Sequence, residues 1–126
     1  MNEERVPVVL HRRVGKTERV SISPIVDNDK QMVTITREDE STEEIPFSAL
    51  KAVFFLRDPN ATDPPHQAAE GSTLAVEFRD GEVIRGRSKE YNPARNGFFL
   101  YPLDRSKSEK IFIVNSAIVS IEIEKF

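Results

Sequence analysis

An internal repeat constrains this chain more than any other feature. Val8-Val9-Leu10-His11-Arg12-Arg13-Val14-Gly15-Lys16 reads like Leu74-Ala75-Val76-Glu77-Phe78-Arg79-Asp80-Gly81-Glu82. A shift of 66 residues places Arg13 on Arg79, Gly15 on Gly81 and Arg19 on Arg85. After a two-residue change in loop length, Ile45-Pro46-Phe47-Ser48-Ala49-Leu50 lies on Ile113-Val114-Asn115-Ser116-Ala117-Ile118. Val53 and Phe55 then fall on Ile121 and Ile123. Identities are few, so the shared order of strand and turn signals carries the reading. Each half opens with an alternating strand and a glycine turn. A second strand, a polar turn, an apolar strand, a charged turn, a short strand, a Ser-Ala pair and a last strand follow. Apolar runs of four to eight residues bounded by turn residues are strands, and no stretch of ten or more carries a convincing helical period.

The segment from Asp58 to Ser72 divides the halves. Pro59, Pro64 and Pro65 remove backbone donors and hold the chain extended. The expected organisation is a first small β-barrel repeat over 1–57, a proline-rich linker over 58–72 and a second repeat over 73–126. The predicted fold is all-β, with two tandem five-stranded SH3-like (Sm-like) barrels packed together. Each unit has roughly 50 residues, near the size at which one core becomes marginal, so the two are expected to lean on one another. Ala52-Val53-Phe54-Phe55-Leu56 and Phe98-Phe99-Leu100-Tyr101 are apolar on both faces. If Val53 and Phe55 fill their own core, Phe54 and Leu56 need another cover. These two strands are therefore expected to meet, between the units or between subunits, with Phe54, Leu56, Phe98 and Phe99 as the candidate interface residues. By contrast, the last strand of the second unit alternates, with Ile121 and Ile123 inward and Glu122 and Glu124 outward.

Charge narrows the function classes. Residues 1–71 hold nine Lys/Arg against thirteen Asp/Glu, a balance of −4, and residues 72–126 hold nine against eight, a balance of +1. With a sequence pI near 5.5, RNA or nucleotide binding is disfavoured but open, because neither half has a strong basic excess. The densest basic stretch runs from Arg85 to Arg95. On a strand, Arg85, Arg87 and Lys89 share a face, Tyr91 continues the row and Arg95 sits in the next turn. These five are the candidate ligand-binding residues, against the plainer reading of a solvated strand face salt-bridged to Glu77 or Glu82. No cysteine is present, which leaves no disulfide or thiolate site. His11 and His66 offer no converging metal set, and the acidic run from Glu38 to Glu44 reads as a solvated hairpin turn. No nucleophile elbow, phosphate-cradling loop or carboxylate pair in an apolar setting is visible. A non-enzymatic module without cofactor or metal is expected. No apolar run approaches the roughly 20 residues a spanning helix needs, and the charged start Met1-Asn2-Glu3-Glu4-Arg5 gives no sign of a signal core. Cytoplasm is the expected compartment.

The second unit resembles the Sm-like family of small RNA-associated barrels. The likeness rests on Val76-Glu77-Phe78-Arg79-Asp80-Gly81, on Gly86 in the bent second strand and on Ser116-Ala117-Ile118. It implies a ring-forming RNA binder with a basic pair in the last turn, where this chain has Val114-Asn115 or Asn115-Ser116. Arg12-Arg13 with Lys16 faintly resembles the entry of PilZ-type receptors, but their Asp/Asn-x-Ser-x-x-Gly segment is missing, which leaves a structural reading. The whole chain is similar to uncharacterised bacterial proteins. They carry a Lys-Ala-Val-Phe-Phe strand before Arg-Asp, here Lys51 to Asp58, and a Tyr-x-Pro-x-Arg-x-Gly-Phe-Phe-Leu segment, here Tyr91 to Leu100. That resemblance implies a tandem architecture and no activity. The expected role is a binding or scaffolding module, most simply for another protein or for self-association. The alternative is nucleic-acid or nucleotide binding through the basic strand face.

Overall fold

A computed structural model describes residues 5–15, 17–22, 31–56, 71–89, 91–103 and 108–124. Ten strands run in chain order. They are β1 (Val6–Arg12), β2 (Glu18–Ile22), β3 (Met32–Thr36), β4 (Thr42–Pro46), β5 (Leu50–Leu56), β6 (Ser72–Phe78), β7 (Val83–Ser88), β8 (Gly97–Pro102), β9 (Ser108–Val114) and β10 (Ile118–Glu124). No α-helix occurs among the described residues. Single 3₁₀ turns, Phe47–Ala49 and Asn115–Ala117, link β4 to β5 and β9 to β10.

All ten strands join one antiparallel sheet in the order β10-β6-β7-β8-β9-β5-β1-β2-β3-β4. Two closed barrels packed side by side were expected; the described strands instead make one open sheet, and no pairing among them closes either half. The reason lies in β5 and β9. β5 pairs with β1 on one side and with β9 on the other, matching Ala52 with Ile113, Val53 with Phe112 and Phe54 with Ile111. The last strand of one half and the fourth strand of the other thus satisfy each other's edge groups. The linker expected at 58–72 lies outside the described residues except for Gly71 and Ser72, and so do residues 27–30, where the polar turn of the first half was expected.

Both halves follow one plan. Within the sheet order, β5-β1-β2-β3-β4 is matched by β10-β6-β7-β8-β9. The Arg13 N–H donates to Ala49 O and the Arg79 N–H to Ala117 O, each at 3.0 Å. Phe47 N–H donates to Gln31 O at 2.8 Å, and Asn115 N–H to Asn96 O at 2.9 Å. Gly15 and Gly81 both turn with positive φ, 105° and 92°, a conformation that disfavours any residue with a Cβ. One extra residue interrupts the register at equivalent places, Lys51 between the pairs Arg12–Leu50 and His11–Ala52, and Val119 between Ile118–Phe78 and Ser120–Glu77. Such bulges bend a strand and re-aim a side chain. Asn96-Gly97, a residue pair that favours hairpin turns, does not make the turn here. Gly97 already pairs with Val114 inside β8, and the turn is made by Asn92–Arg95, with Arg95 N–H donating to Asn92 O at 3.1 Å.

Alternation along the strands builds two cores. Val8, Leu10, Val20, Ile22, Ile35 and Ile45 face the first; Leu74, Val76, Phe78, Phe98 and Leu100 face the second. The seam strands serve both. Val53 and Phe55 of β5 enter the first core while Ala52 enters the second, with Phe54 packed on it. Ile111 and Ile113 of β9 enter the second core, while Phe112 and Val114 cross into the first. Each full burial of such a side chain contributes about 1.5–3 kcal/mol, so neither core is complete without the other half.

Candidate functional site

The basic row expected on the second half is only partly assembled. Arg85 and Arg87 share the outer face of β7, because pairs Ala75–Arg85 and Thr73–Arg87 alternate with core-facing Ile84 and Gly86. Arg85 forms an ion pair with Glu124 at 3.3 Å. By strand parity Glu122 and Glu77 also lie on that face, across β10 and β6, so it is mixed in sign. Lys89 is exposed just beyond the strand. Tyr91 leaves the row: its ring meets Phe98 edge-on with centroids 5.0 Å apart, on the rim of the second core. Arg95 is exposed in the following turn, and its carbonyl accepts from Asn115 Nδ2 at 2.8 Å. The second amide hydrogen of Asn115 goes to Asn92 O at 3.0 Å, which ties that turn to the second 3₁₀ turn.

The four candidate interface residues are spread over the seam. Phe54 packs on the second core and stacks on His11 at 4.1 Å. Leu56 is half-buried opposite Ser108, and Phe98 belongs to the core of its own half. Phe99 reaches the first core, edge-on to Phe55 at 5.7 Å and to Phe112 at 5.3 Å. Lys110 lies 4.6 Å from the Phe99 ring centre and 5.0 Å from that of Phe55, closing the aromatic group on its solvent side. Phe112, absent from the candidates, crosses fully buried from the second half into the first core. Its signal was the unbroken apolar run Ile111-Phe112-Ile113-Val114, the same two-sided pattern that picked out β5.

At one end of the seam a charged group spans the halves. The bulge turns Lys51 onto the β6–β7 turn, where Nζ donates to Asp80 Oδ2 at 2.7 Å and to Glu82 Oε1. Its ammonium lies 4.8 Å from the ring centre of Phe78. Burial pulls the Lys51 ammonium down, but the hydrogen bonds and charges of Asp80 and Glu82 outweigh it and leave its pKa above the ordinary value. Asp80 is held below the usual carboxylate range, first by Lys51 and then by the Glu82 N–H. The pKa of His11 is pushed down, first by burial and then by the Lys51 charge.

Beside this group, Arg13 and Arg79 converge on Ser116. Arg13 Nε donates to Leu50 O at 3.0 Å and its Nη2 to Ser116 Oγ. Arg79 Nε donates to Ser116 O at 3.0 Å. With Lys51, Phe78, Asp80 and Ala117 they line an open pocket of about 230 Å³. No group of three His, Asp or Glu able to hold a metal ion occurs among the described residues.

At the outer ends of the sheet lie two unlike edges. On β4, the residues facing away from its own core are Thr42, Glu44 and Pro46; their counterparts on β9 are Lys110, Phe112 and Val114. On β10 they are Ser120, Glu122 and Glu124; their counterparts on β5 are Ala52, Phe54 and Leu56. Apart from Lys110 in the seam and Pro46 at the β4 end, the positions that are apolar inside the molecule are thus polar at its two ends. Ile123 stands 55% exposed on β10, whereas the equivalent Phe55 is 4% exposed beneath β8 and β9.

These features define an all-β, single-sheet protein whose two similarly ordered halves share their cores. The chain belongs to the Family of unknown function (DUF6982), whose profile matches residues 4–125. A search of curated proteins found no match, and a search of solved structures found none either. No described helix is long and apolar enough to cross a membrane.

Proposed function

We propose that the chain is a non-enzymatic protein-binding module, built from two copies of one five-stranded, Sm-like unit, that takes an extended segment of a partner on the β10 edge. Support for the two-copy reading comes from the repeated strand order, bulge, 3₁₀ turn and turn hydrogen bonds. The observation that carries the binding role is the state of β10. It pairs only with β6 among the described strands, and beside that open edge Val119 is 58% and Ile123 55% exposed. An edge of this kind accepts a strand through its backbone groups, with alternate side chains setting specificity.

The residues fit a partner strand that alternates apolar with basic positions. Apolar side chains would cover Ile121 and Ile123, and Lys or Arg would face Glu122 and Glu124. A second copy docking β4 onto β10 in the register of the internal seam fits poorly. It would set Glu43 against Glu122 and place Glu44 where Phe112 sits. The β4 edge itself ends in Pro46, which cannot donate to a ladder.

The test is a titration of the full chain, followed by amide resonances, with a short peptide alternating valine and lysine and with its valine–glutamate counterpart. The lysine peptide is expected to shift β10 amides, more weakly at high salt, and Glu122→Lys is expected to abolish the effect. Equal binding of both peptides, or of neither, sinks the reading. The nucleic-acid alternative draws on Arg85 and Arg87 sharing a face. The ion pair to Glu124 and the packing of Tyr91 weaken it, and single-stranded RNA that binds at low salt and dissociates as salt rises would restore it.

A further inference from the structure

A second site, independent of the β10 edge, lies at the seam. We infer that the pocket beside the second 3₁₀ turn binds a small organic phosphate, with Arg13 and Arg79 on the phosphate and Phe78 and Ala117 against the organic part.

Charge points to the ligand first. Arg13 and Arg79 meet no carboxylate within ion-pair distance among the described residues, whereas Arg12, Arg37, Lys51 and Arg85 all do. The two guanidiniums stand close enough for the charge of Arg79 to disfavour the charged form of Arg13, after burial. Like charges brought together without a counter-ion cost free energy, and a shared anion would relieve that cost. Asp80, the one acid of the pocket lining, is engaged by Lys51 and by the Glu82 N–H, so it does not take that place.

Geometry and size narrow the class. Each arginine is fixed through Nε, Arg13 on Leu50 O and Arg79 on Ser116 O. The fork of Arg79 beyond Nε faces no other described acceptor. Arg13 Nη2 already donates to Ser116 Oγ, which leaves its Nη1 beside the open fork of Arg79; together they suit a phosphate, whose charge of about −1.5 to −2 near neutral pH matches two cations. The pocket of about 230 Å³ is smaller than the roughly 300–1,000 Å³ of sites for drug-sized ligands. A phosphate on a few carbons fits, and a larger ligand would project into solvent. The site exists only because the halves are joined: Arg13 and Lys51 come from one, and Phe78, Arg79 and Ala117 from the other.

The experiment is a titration of the full chain, read from the amide resonances of Ser116 and Ala117, with glycerol 3-phosphate, inorganic phosphate and glycerol in turn. Glycerol 3-phosphate is expected to shift both amides and to bind more tightly than inorganic phosphate; glycerol is expected to do nothing. Arg79→Gln is expected to weaken binding about tenfold or more with the melting temperature lowered only slightly, since Arg79 is exposed and loses one exposed hydrogen bond, to the Ser116 carbonyl. Arg13→Gln also removes hydrogen bonds to Leu50 and Phe47 carbonyls, so Arg79→Gln is the deciding variant. No shift with either phosphate, or equal affinity in Arg79→Gln and the parent chain, overturns the proposal. Equal affinity for both phosphates overturns the organic part of it.

Discussion

Lys51 shows how one position decides between a joint and a free end. Both halves carry the bulge that throws a side chain off the ladder, but the second half places Val119 there, 58% exposed. Lys51 itself is 7% exposed and spans to Asp80 and Glu82. Truncating one partner of a desolvated charge pair is costly, and exposed partners reduce that cost. Asp80 and Glu82 are about half exposed, so Lys51→Met is expected to lower stability by about 1–2 kcal/mol at neutral pH, measured by urea unfolding. The pH dependence follows from the directions of the shifts. Asp80 sits below its ordinary 3.8 in the folded chain, so its contribution is complete above that value and is lost as the pH falls through the folded pKa. Lys51 sits above its ordinary 10.5, so its contribution is complete below that value and is lost as the pH rises through the folded pKa. The gap between parent and Lys51→Met should be flat from about pH 5 to 9 and shrink at both extremes. A gap that persists unchanged at pH 2 would mean that packing of the lysine stem, not its charge, is what Lys51 supplies.

At the scale of elements, strand alternation was plain in the sequence and strand partnership was not. Val8, Leu10, Val20, Ile22, Val33 and Ile35 obey a period of two, and each strand was legible for that reason. The two-sided run Ala52–Leu56 also announced a strand covered on both faces. What covers it was misplaced: Phe98–Tyr101, the run expected to meet it, forms β8 one strand further, and β9 pairs with β5 instead, because Ile111–Val114 is also apolar on both faces. The arginine pair at Ser116 was hidden for another reason. Arg13 and Arg79 matched as repeat positions, but only the seam brings them to one serine. Ion pairs at strand ends were equally invisible. Arg12, Glu18, Arg37 and Glu43 each continue a core-facing row by one step, and Arg37 bridges Glu18 at 2.8 Å and Glu43 at 2.6 Å across the open end of the first core. Gly86 tests element contact directly. A Cβ there would meet the Tyr101 carbonyl oxygen and stand 2.8 Å from Leu100 Cγ, so β7 and β8 approach closely only because the side chain is missing. Gly86→Ala is expected to cost about 1–3 kcal/mol, with amide exchange accelerating first in β7 and β8. An unchanged melting curve would show that the sheet gives way at that bend without cost.

For the whole molecule, the shared cores make a prediction about cooperativity. Two independent domains of roughly 50 residues would unfold separately, each near the lower limit of stability. Here Phe112 is fully buried and belongs by sequence to the second half, yet it packs in the first core against Phe47 at 5.5 Å and Phe99 at 5.3 Å. Phe54 makes the opposite crossing. Unfolding either half therefore strips apolar cover from the other, and the seam hydrogen bonds of β5 and β9 are lost with it. The full chain is expected to melt in one transition whose calorimetric and van't Hoff enthalpies agree. Phe112→Ala should remove about 3–5 kcal/mol and shift that single transition as a unit. Hydrogen exchange should then rise alike in β1–β5 and in β6–β10, although only one residue of the second half has changed. Two resolved transitions, or exchange confined to the half that carries the substitution, would mean that the seam is an adhesion between finished domains. The pocket at Ser116 would then open and close with that adhesion, whereas a single cooperative unit holds it formed for as long as the chain is folded.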